Sequence, residues 1–578
     1  MLSAYLFLLA VMVGLVKRNG KVVSAISAIA SAAVLLEATG SIPQLSLQAD
    51  ELSRFFLLLL GTAGVAVSIY SYSYMRPKHL VTAAYPLFLL SMELILLSRD
   101  FLQFIAFWEL MTLTSYVLIV ANYTESATKR ASLIYLVTMQ ALNTAPLLLA
   151  LGYTYALFNT LSFETLKGNI PPAWVLWLFL VGFMTKAGIF PLHFWLPEAH
   201  PVAPSNVSAL LSGVMLKMAV YGMLRVASIF PNTSTLATPI IILSMATIAI
   251  GALLMLVQRD LKRMIAYSSV DNLGYIFLAF GAYLALHGTL KTVALAALLL
   301  HSFNHMLFKN LLFMVSGNVL HATGRKDLGL RGLGRNMPFT FALSIIGILA
   351  VSGVPPLNGF VSKWLIYQAT FLSRSPVLIA GGVIALFGSA VTLAAYLKMY
   401  RIFTGEPEGE VHEVEAPMLV GEGMLALLCV LLGVFPWLGI KLTGTDIGFE
   451  IDMPLLTIVL ALFSGMLFIA LPPRGRRDAV WTNGERVEDF DILPEHMYYP
   501  LNHISEGLSK VGSSAGKVLT RVGGAVTSVE VDYIDEALFL PPARLLRGMI
   551  ALLRECPLGV MIVVLLLIAS ALIWGWLG

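Results

Sequence analysis

The sequence predicts an all-α protein that crosses a membrane many times, and three observations carry that expectation. Apolar residues fall in runs of membrane-spanning length, each about 20 residues. Hydrophobic residues make up 58% of the 578 positions and charged residues 12%, with a mean hydropathy of +0.83; soluble domains carry about twice that charge. Lysine and arginine concentrate in alternate loops between the runs, as cytoplasmic loops do.

The apolar runs and their polar breaks predict helices at 3–16, 20–37, 53–74, 84–98, 101–122, 128–158, 174–197 and 206–229, then at 238–257, 264–286, 290–320, 338–370, 376–402, 421–440, 453–472 and 558–577. Odd-numbered loops through the eleventh hold Lys17, Arg18 and Lys21, Arg76 and Lys78, Lys129 and Arg130, Arg259, Lys262 and Arg263, and Arg325, Lys326, Arg331 and Arg335. Even-numbered loops hold only Arg54, Arg99, Lys167, Lys291 and Arg374. The bias places the odd loops in the cytoplasm and both termini outside. Arg474, Arg476 and Arg477 after the fifteenth run follow the same rule.

Two runs are interrupted, the seventh at Gly188-Ile189-Phe190-Pro191 and the twelfth at Ser352-Gly353-Val354-Pro355-Pro356. Proline removes a backbone donor and clashes with the preceding turn, so each helix should break there. Broken backbone is tolerated at membrane depth where it is buried in protein or lines a wet cavity. The breaks are five helices apart and so lie in segments of opposite direction, which predicts an inverted repeat with a pathway between its halves. The expected divisions are 1–83 (three helices), 84–236 (first repeat, helices four to eight), 237–405 (second repeat, nine to thirteen), 406–472 (helices fourteen and fifteen), 473–557 and 558–578.

Residues 473–557 are polar, with Leu501, Ile504, Leu508, Val511, Val518, Leu519, Val522 and Val526 spaced for one face of a surface helix. A solvated linker is the plainer reading. Gly512, Gly516, Gly523 and Gly524 weigh against a helix; the last membrane run, which tethers the far end, favours it.

Composition also excludes functions. The net charge of +4 comes with no basic stripe interleaved with aromatics, so no nucleic-acid partner is expected. Cys429 and Cys556 form no metal- or cluster-ligating pair, so no cofactor is expected in this chain. In the first run Lys17 and Arg18 follow the apolar stretch, the reverse of a cleavable signal, which predicts a retained helix.

Charges inside the apolar runs point to function. Glu109 is central in FLQFIAFWELMTLTSYVLIV, Lys186 precedes the first break, and Lys217 is central in LLSGVMLKMAVYGML. His301, His305 and Lys309 share one face at i, i+4, i+8 over about 12 Å, and Lys363 follows the second break. A mid-membrane charge costs at least about 2.5–3.5 kcal/mol, so such a series has a reason. One Glu–Lys pair could simply fix packing, but a series beside two broken helices suits a proton path. Burial disfavours the charged form of each group and a nearby opposite charge restores it, so a movable partner can switch protonation. Zinc binding by His301 and His305 lacks a third ligand and the intervening glutamate of metalloproteases. His193 and His200 read as interfacial histidines, and Glu93 as a second acidic site or an interfacial residue.

The segments FWELMTLTSYVLI, TKAGIFPLHFWLPEAHPVAPSNVSALLSGVMLK, DLKRMIAYSSVDNLGY, HSFNHMLFKNLLFM and GVPPLNGFVSKW resemble the signatures of the proton-conducting antiporter family. That family includes antiporter-like subunits of respiratory complex I, of Mrp-type sodium/proton antiporters, and of membrane-bound hydrogenases and related ferredoxin-linked complexes. The resemblance spans about residues 50–405. It implies a fourteen-helix core with two inverted five-helix repeats, here followed by two further membrane helices. By position, Glu109 matches the family's fifth-helix glutamate, Lys186 the seventh-helix lysine paired with it, and Lys217 the connecting lysine of the eighth. His301 matches the eleventh-helix histidine and Lys363 the twelfth-helix terminal lysine. VDYIDEALFLPPARLL is similar to a segment near the C-terminus of members with a lateral helix.

Three functions compete at this point. The first is a proton-translocating cell-membrane subunit driven by iron–sulfur redox partners and assembled with further antiporter-like subunits. The second is an Mrp-type sodium/proton antiporter without redox chemistry, and the third a scaffold whose charges lock helices together. Partner identity separates the first two, and neutralising the central lysines separates the third.

Overall fold

The computed structural model describes residues 2–17, 19–40, 49–75, 79–122, 125–405, 409–450 and 456. These fall in the first of two compact units, Met1–Ile469. The predicted runs at 453–472 and 558–577, the segment 473–557 and Arg474, Arg476 and Arg477 lie outside the described residues.

The observed helices follow the predicted runs closely: α1 (Leu2–Lys17), α2 (Gly20–Thr39), α3 (Glu51–Tyr74), α4 (His79–Leu97) and α5 (Phe101–Ile119). They continue with α6 (Ser126–Phe158), α7a (Ala173–Ala187), α7b (Trp195–Val202), α8 (Ser205–Ile229), α9 (Ala237–Leu256) and α10 (Leu261–Ala285). The rest are α11 (Gly288–Thr323), α12a (Pro338–Ser352), α12b (Asn358–Phe371), α13 (Pro376–Phe403) and α14 (Ala416–Val434). Ten of the described helices are long and apolar enough to cross a membrane, and α1, α7a and α12a are shorter apolar helices. Among the described residues the only extended pairing is two isolated bridges.

Those two bridges mark matching corners. Asp100 caps α5 by accepting from Gln103 N and pairs with Ser162 beyond α6. Asp260 caps α10 by accepting from Arg263 N and pairs with Asp327 beyond α11. Aspartate suits both positions because its carboxylate satisfies an orphan N–H where the helix dipole is positive. The backbone bonds match as well: Phe101 N to Leu161 O (3.0 Å) and Phe163 N to Arg99 O (3.0 Å) at one corner, Leu261 N to Lys326 O (2.7 Å) and Leu328 N to Arg259 O (2.8 Å) at the other.

Both predicted breaks are real. α7a ends at Gly188 and α12a at Gly353, with φ of 71° and 78°, left-handed values that glycine adopts without strain. Ile189 N then bonds Met184 O and Val354 N bonds Leu349 O, closing each helix end in the same way. Trp195 Nε1 reaches Thr185 O (2.8 Å) across the first break. Asn304 Nδ2 reaches Asn358 O (2.7 Å) at the second.

The buried centre is α8, with α10 and α11 against it. In α8 the whole apolar span is buried, although it carries Lys217. The fourteenth predicted run is corrected at both ends. α14 starts at Ala416, and Pro436 begins a separate short helix, Pro436–Leu442, after Phe435, as proline's missing donor requires.

Candidate functional site

Every predicted pathway residue lies in or beside this centre. Lys186, Lys217, His301, His305 and Lys309 are fully buried and Lys363 is 1% exposed. Glu109 differs: it is half-buried.

Lys186 lies in the last turn of α7a, where its charge meets the negative end of the helix dipole. Its Nζ donates to Thr112 Oγ1 (2.9 Å) on α5 and to Tyr135 OH (3.2 Å) on α6. Glu109, one turn before Thr112, accepts from Gln140 Nε2 (3.1 Å) and from Thr144 Oγ1 instead. Glu109 is within coulombic reach of Lys186, while the hydrogen bonds of the two side chains go to different partners. The cause is a π-turn in α6, Met139–Thr144, which aims both donors at Glu109.

Tyr135 continues the line. Its hydroxyl contacts Ser115 Oγ (2.5 Å) and Met215 Sδ (3.7 Å). Met215 closes a second π-turn, Leu211–Met215, two residues before Lys217. Lys217 Nζ donates to Ser212 O (2.6 Å), a carbonyl inside that turn, and meets His305 Nδ1. A π-turn leaves carbonyls off the regular ladder, so both turns act here as local seats for polar side chains.

On α11 the stripe fans out to four neighbours. His305 meets Lys217 on α8, and His301 Nδ1 meets Ser362 Oγ (2.9 Å) on α12b. Lys309 Nζ donates to Ile265 O (3.2 Å) on α10 and to Tyr396 OH (3.2 Å) on α13. Beyond the second break, Lys363 Nζ donates to Val351 O (3.1 Å) in the last turn of α12a and lies 4.7 Å from the Tyr275 ring centroid. Each break thus holds a lysine against the C-terminal end of its first half-helix.

Asp271 on α10 was missed. It is fully buried, accepts from Thr392 Oγ1 (3.1 Å), and is within coulombic reach of Lys309 and Lys363. The signal was available, because Asp271 is a charge within the predicted run 264–286. Glu93 is fully buried and contacts Ser3 Oγ, which also donates to Glu37 Oε2 (2.6 Å). It belongs to a polar cluster of α1, α2 and α4, apart from the central line. His193 and His200 are buried inside the protein, 5% and 0% exposed.

Several buried polar atoms along the line have no protein partner, including His301 Nε2, His305 Nε2, Asn310 Oδ1 and Nδ2, and Asp271 Oδ1. Buried polar atoms are normally satisfied, by water where protein does not serve. The arrangement can therefore pass protons between titratable groups through hydroxyls and internal water.

A bundle with two broken helices and a buried chain of lysines and histidines between them defines an ion-conducting membrane subunit. The sequence profile described as NADH:quinone oxidoreductase/Mrp antiporter, TM matches residues 98–389, just over half of the chain, and the chain belongs to that family. It is 38% identical over 430 residues to hydrogenase-4 component B of Escherichia coli (strain K12), covering 69% of this chain and 64% of that protein. With formate hydrogenlyase subunit 3 of the same organism it is 30% identical over 523 residues, 83% of this chain and 84% of that one. The fold matches a chain in the archaeal membrane-bound sulfane sulfur reductase, with a TM-score of 0.70 and 24% identity over 96% of this chain and 99% of that one. The chain thus spans somewhat less than two thirds of hydrogenase-4 component B and most of formate hydrogenlyase subunit 3.

Proposed function

We propose that this chain is the proton-translocating, antiporter-like subunit of a complex-I-related, redox-driven ion pump of the hydrogenase, formate hydrogenlyase or sulfur-reductase kind. What supports the reading is the buried series Lys186, Lys217, His305, His301 and Lys363, which lies between the two broken helices, with Tyr135 beside Lys186. Glu109 is its lateral switch, Lys186 the carrier it controls, Lys217, His301, His305 and Lys309 the central relay, and Lys363 its outward end. Electron transfer belongs to iron–sulfur partners, which with further antiporter-like subunits in the cell membrane complete the pump.

The architecture proposed is a fourteen-helix core in which α4–α8 (84–236) and α9–α13 (237–405) are inverted repeats. The matching corners at Asp100 and Asp260 support this, as do the matching helix ends at Gly188 and Gly353. Residues 1–83 precede the repeats and 406–472 follow them.

Native purification from membranes, with mass-spectrometric identification of the partners, tests the reading. Redox subunits bearing iron–sulfur clusters are expected. Co-purification with small cation-antiporter subunits alone would replace it with Mrp-type exchange, and normal pumping after neutralising Lys186 and Lys217 would leave a scaffold.

A further inference from the structure

A further fully buried carboxylate lies outside the central line. Glu422 on α14 is 0% exposed. One of its oxygens, Oε2, accepts from Asn318 Nδ2 on α11 (2.9 Å), and Oε1 has no protein partner. A residue needed only to clasp Asn318 could be neutral, because burying an ionisable group with an unpaired oxygen is costly.

Its surroundings connect it in both directions. Asn318 Nδ2 also donates to Thr340 Oγ1 (3.1 Å), and that hydroxyl donates to Glu413 Oε1 (2.6 Å) in the loop before α14. Glu413 is half-buried and accepts from Phe339 N and Thr340 N (2.9 and 3.1 Å), capping α12a. This loop is bonded to the basic loop before α12a through Gly332 N and Thr404 O (2.8 Å), so Glu413 opens on the face that bears Arg325, Arg331 and Arg335. On the inner side Glu422 is within coulombic reach of Tyr70 on α3. A Cβ on Gly317 would come within 2.3 Å of the Tyr70 hydroxyl and 3.2 Å of Ser205 Oγ. Both hydroxyls therefore crowd one spot, and Ser205 opens α8, the helix of Lys217.

We infer that Glu422 is a proton-uptake site, loaded from the basic face past Glu413 and Thr340 and emptied past Tyr70 and Ser205 toward Lys217. Asn318 is its latch: an amide does not relay protons, so it holds the carboxylate until water replaces it. Loading adds one proton at Oε1 and unloading removes it; no other reactant is consumed. The inference rests on the proposed function and extends it by one residue.

The test uses the intact complex in vesicles with the basic face outward, measuring redox-driven pumping against external pH for Glu422→Gln, Glu422→Asp and Lys217→Met. Glu422→Gln should assemble, lose most of its pumping and begin its alkaline decline at lower pH, while Glu422→Asp retains part of the rate. A wild-type rate and pH profile in Glu422→Gln, beside an inactive Lys217→Met, would overturn the inference and leave the proposed function standing. Should Glu422→Gln fail to assemble, an unchanged profile in Glu422→Asp overturns it instead. Normal pumping in Lys217→Met overturns the proposed function, and the uptake site with it.

Discussion

Lys217 Nζ on α8 lies against His305 Nδ1 on α11, and neither residue is exposed to solvent. A charged lysine can only donate, so His305 must then accept at Nδ1 and keep its proton on Nε2. If the lysine is neutral, His305 can donate to it instead. Either way, one proton is shared between the two helices. Lys217→Met should abolish pumping while the complex still assembles. His305→Gln, which keeps hydrogen bonding but does not titrate, should lose most of the rate; normal proton flux in vesicles carrying either variant would remove the pair from the path.

Lys186 donates to Thr112 Oγ1, which makes the threonine a third member of the Glu109–Lys186 site. Glu109→Gln preserves size and hydrogen bonding and should lose most pumping, with Glu109→Asp retaining part. Thr112→Val removes the hydroxyl that accepts from Lys186 and should slow pumping without affecting assembly. If the valine variant pumps normally, Thr112 is only packing.

Asp271 balances two buried lysines, Lys309 and Lys363. Asp271→Asn should impair pumping about as much as Lys363→Ala, because each unbalances the buried charge of the second half. Parallel measurements on the two variants decide this: a fully active Asp271→Asn complex removes the acid from the mechanism.

Asp50, just before α3, and Arg225, near the end of α8, make a pH-dependent clasp between the two helices. Burial pushes the Asp50 carboxyl up, but the hydrogen bond and charge of Arg225 outweigh it and hold Asp50 at about 2 against an ordinary 3.8. A carboxylate lowered on folding stabilises the protein above its unfolded value, and that contribution disappears as it is protonated. The stabilisation should therefore be complete above about pH 4 and fade as pH falls toward about 2. Asp50→Asn should flatten the thermal stability of detergent-purified protein across that window. The effect should be small because Asp50 is half-exposed; equal slopes for both proteins would count against the clasp.

The second break depends on a missing side chain. A Cβ on Gly359 would come within 1.8 Å of Ala350 O, a backbone atom that cannot rotate away. Gly359→Ala should destabilise the protein by about 1–3 kcal/mol, as overpacking does. A thermal midpoint equal to wild type would mean the two half-helices separate freely.

The helix positions were legible because lipid enforces them: each span must be apolar and must satisfy its backbone internally. The breaks were legible for the same reason, since Pro191, Pro355 and Pro356 interrupt otherwise unbroken runs. Side-chain direction was less accessible. Glu109 turns toward α6 because of a π-turn at Met139–Thr144, which apolar periodicity does not encode. Glu422 escaped notice because its helix was expected to begin at 421, which made it terminal. The observed start at Ala416 carries it nearly two turns inward. The His200 ring is buried by stacking on Phe313 at 4.9 Å, a contact between distant segments that local composition does not reveal.

α11 is continuous over 36 residues, a rod of about 54 Å against a hydrocarbon layer of about 30 Å. It must tilt or project beyond the layer. His301, His305, Lys309 and Asn318 are rungs on that single rod. A slide or roll of α11 would shift its contacts with Ser362, Lys217, Tyr396 and Glu422 together. The helix can thus act as a camshaft, setting the contacts of the second half in one stroke.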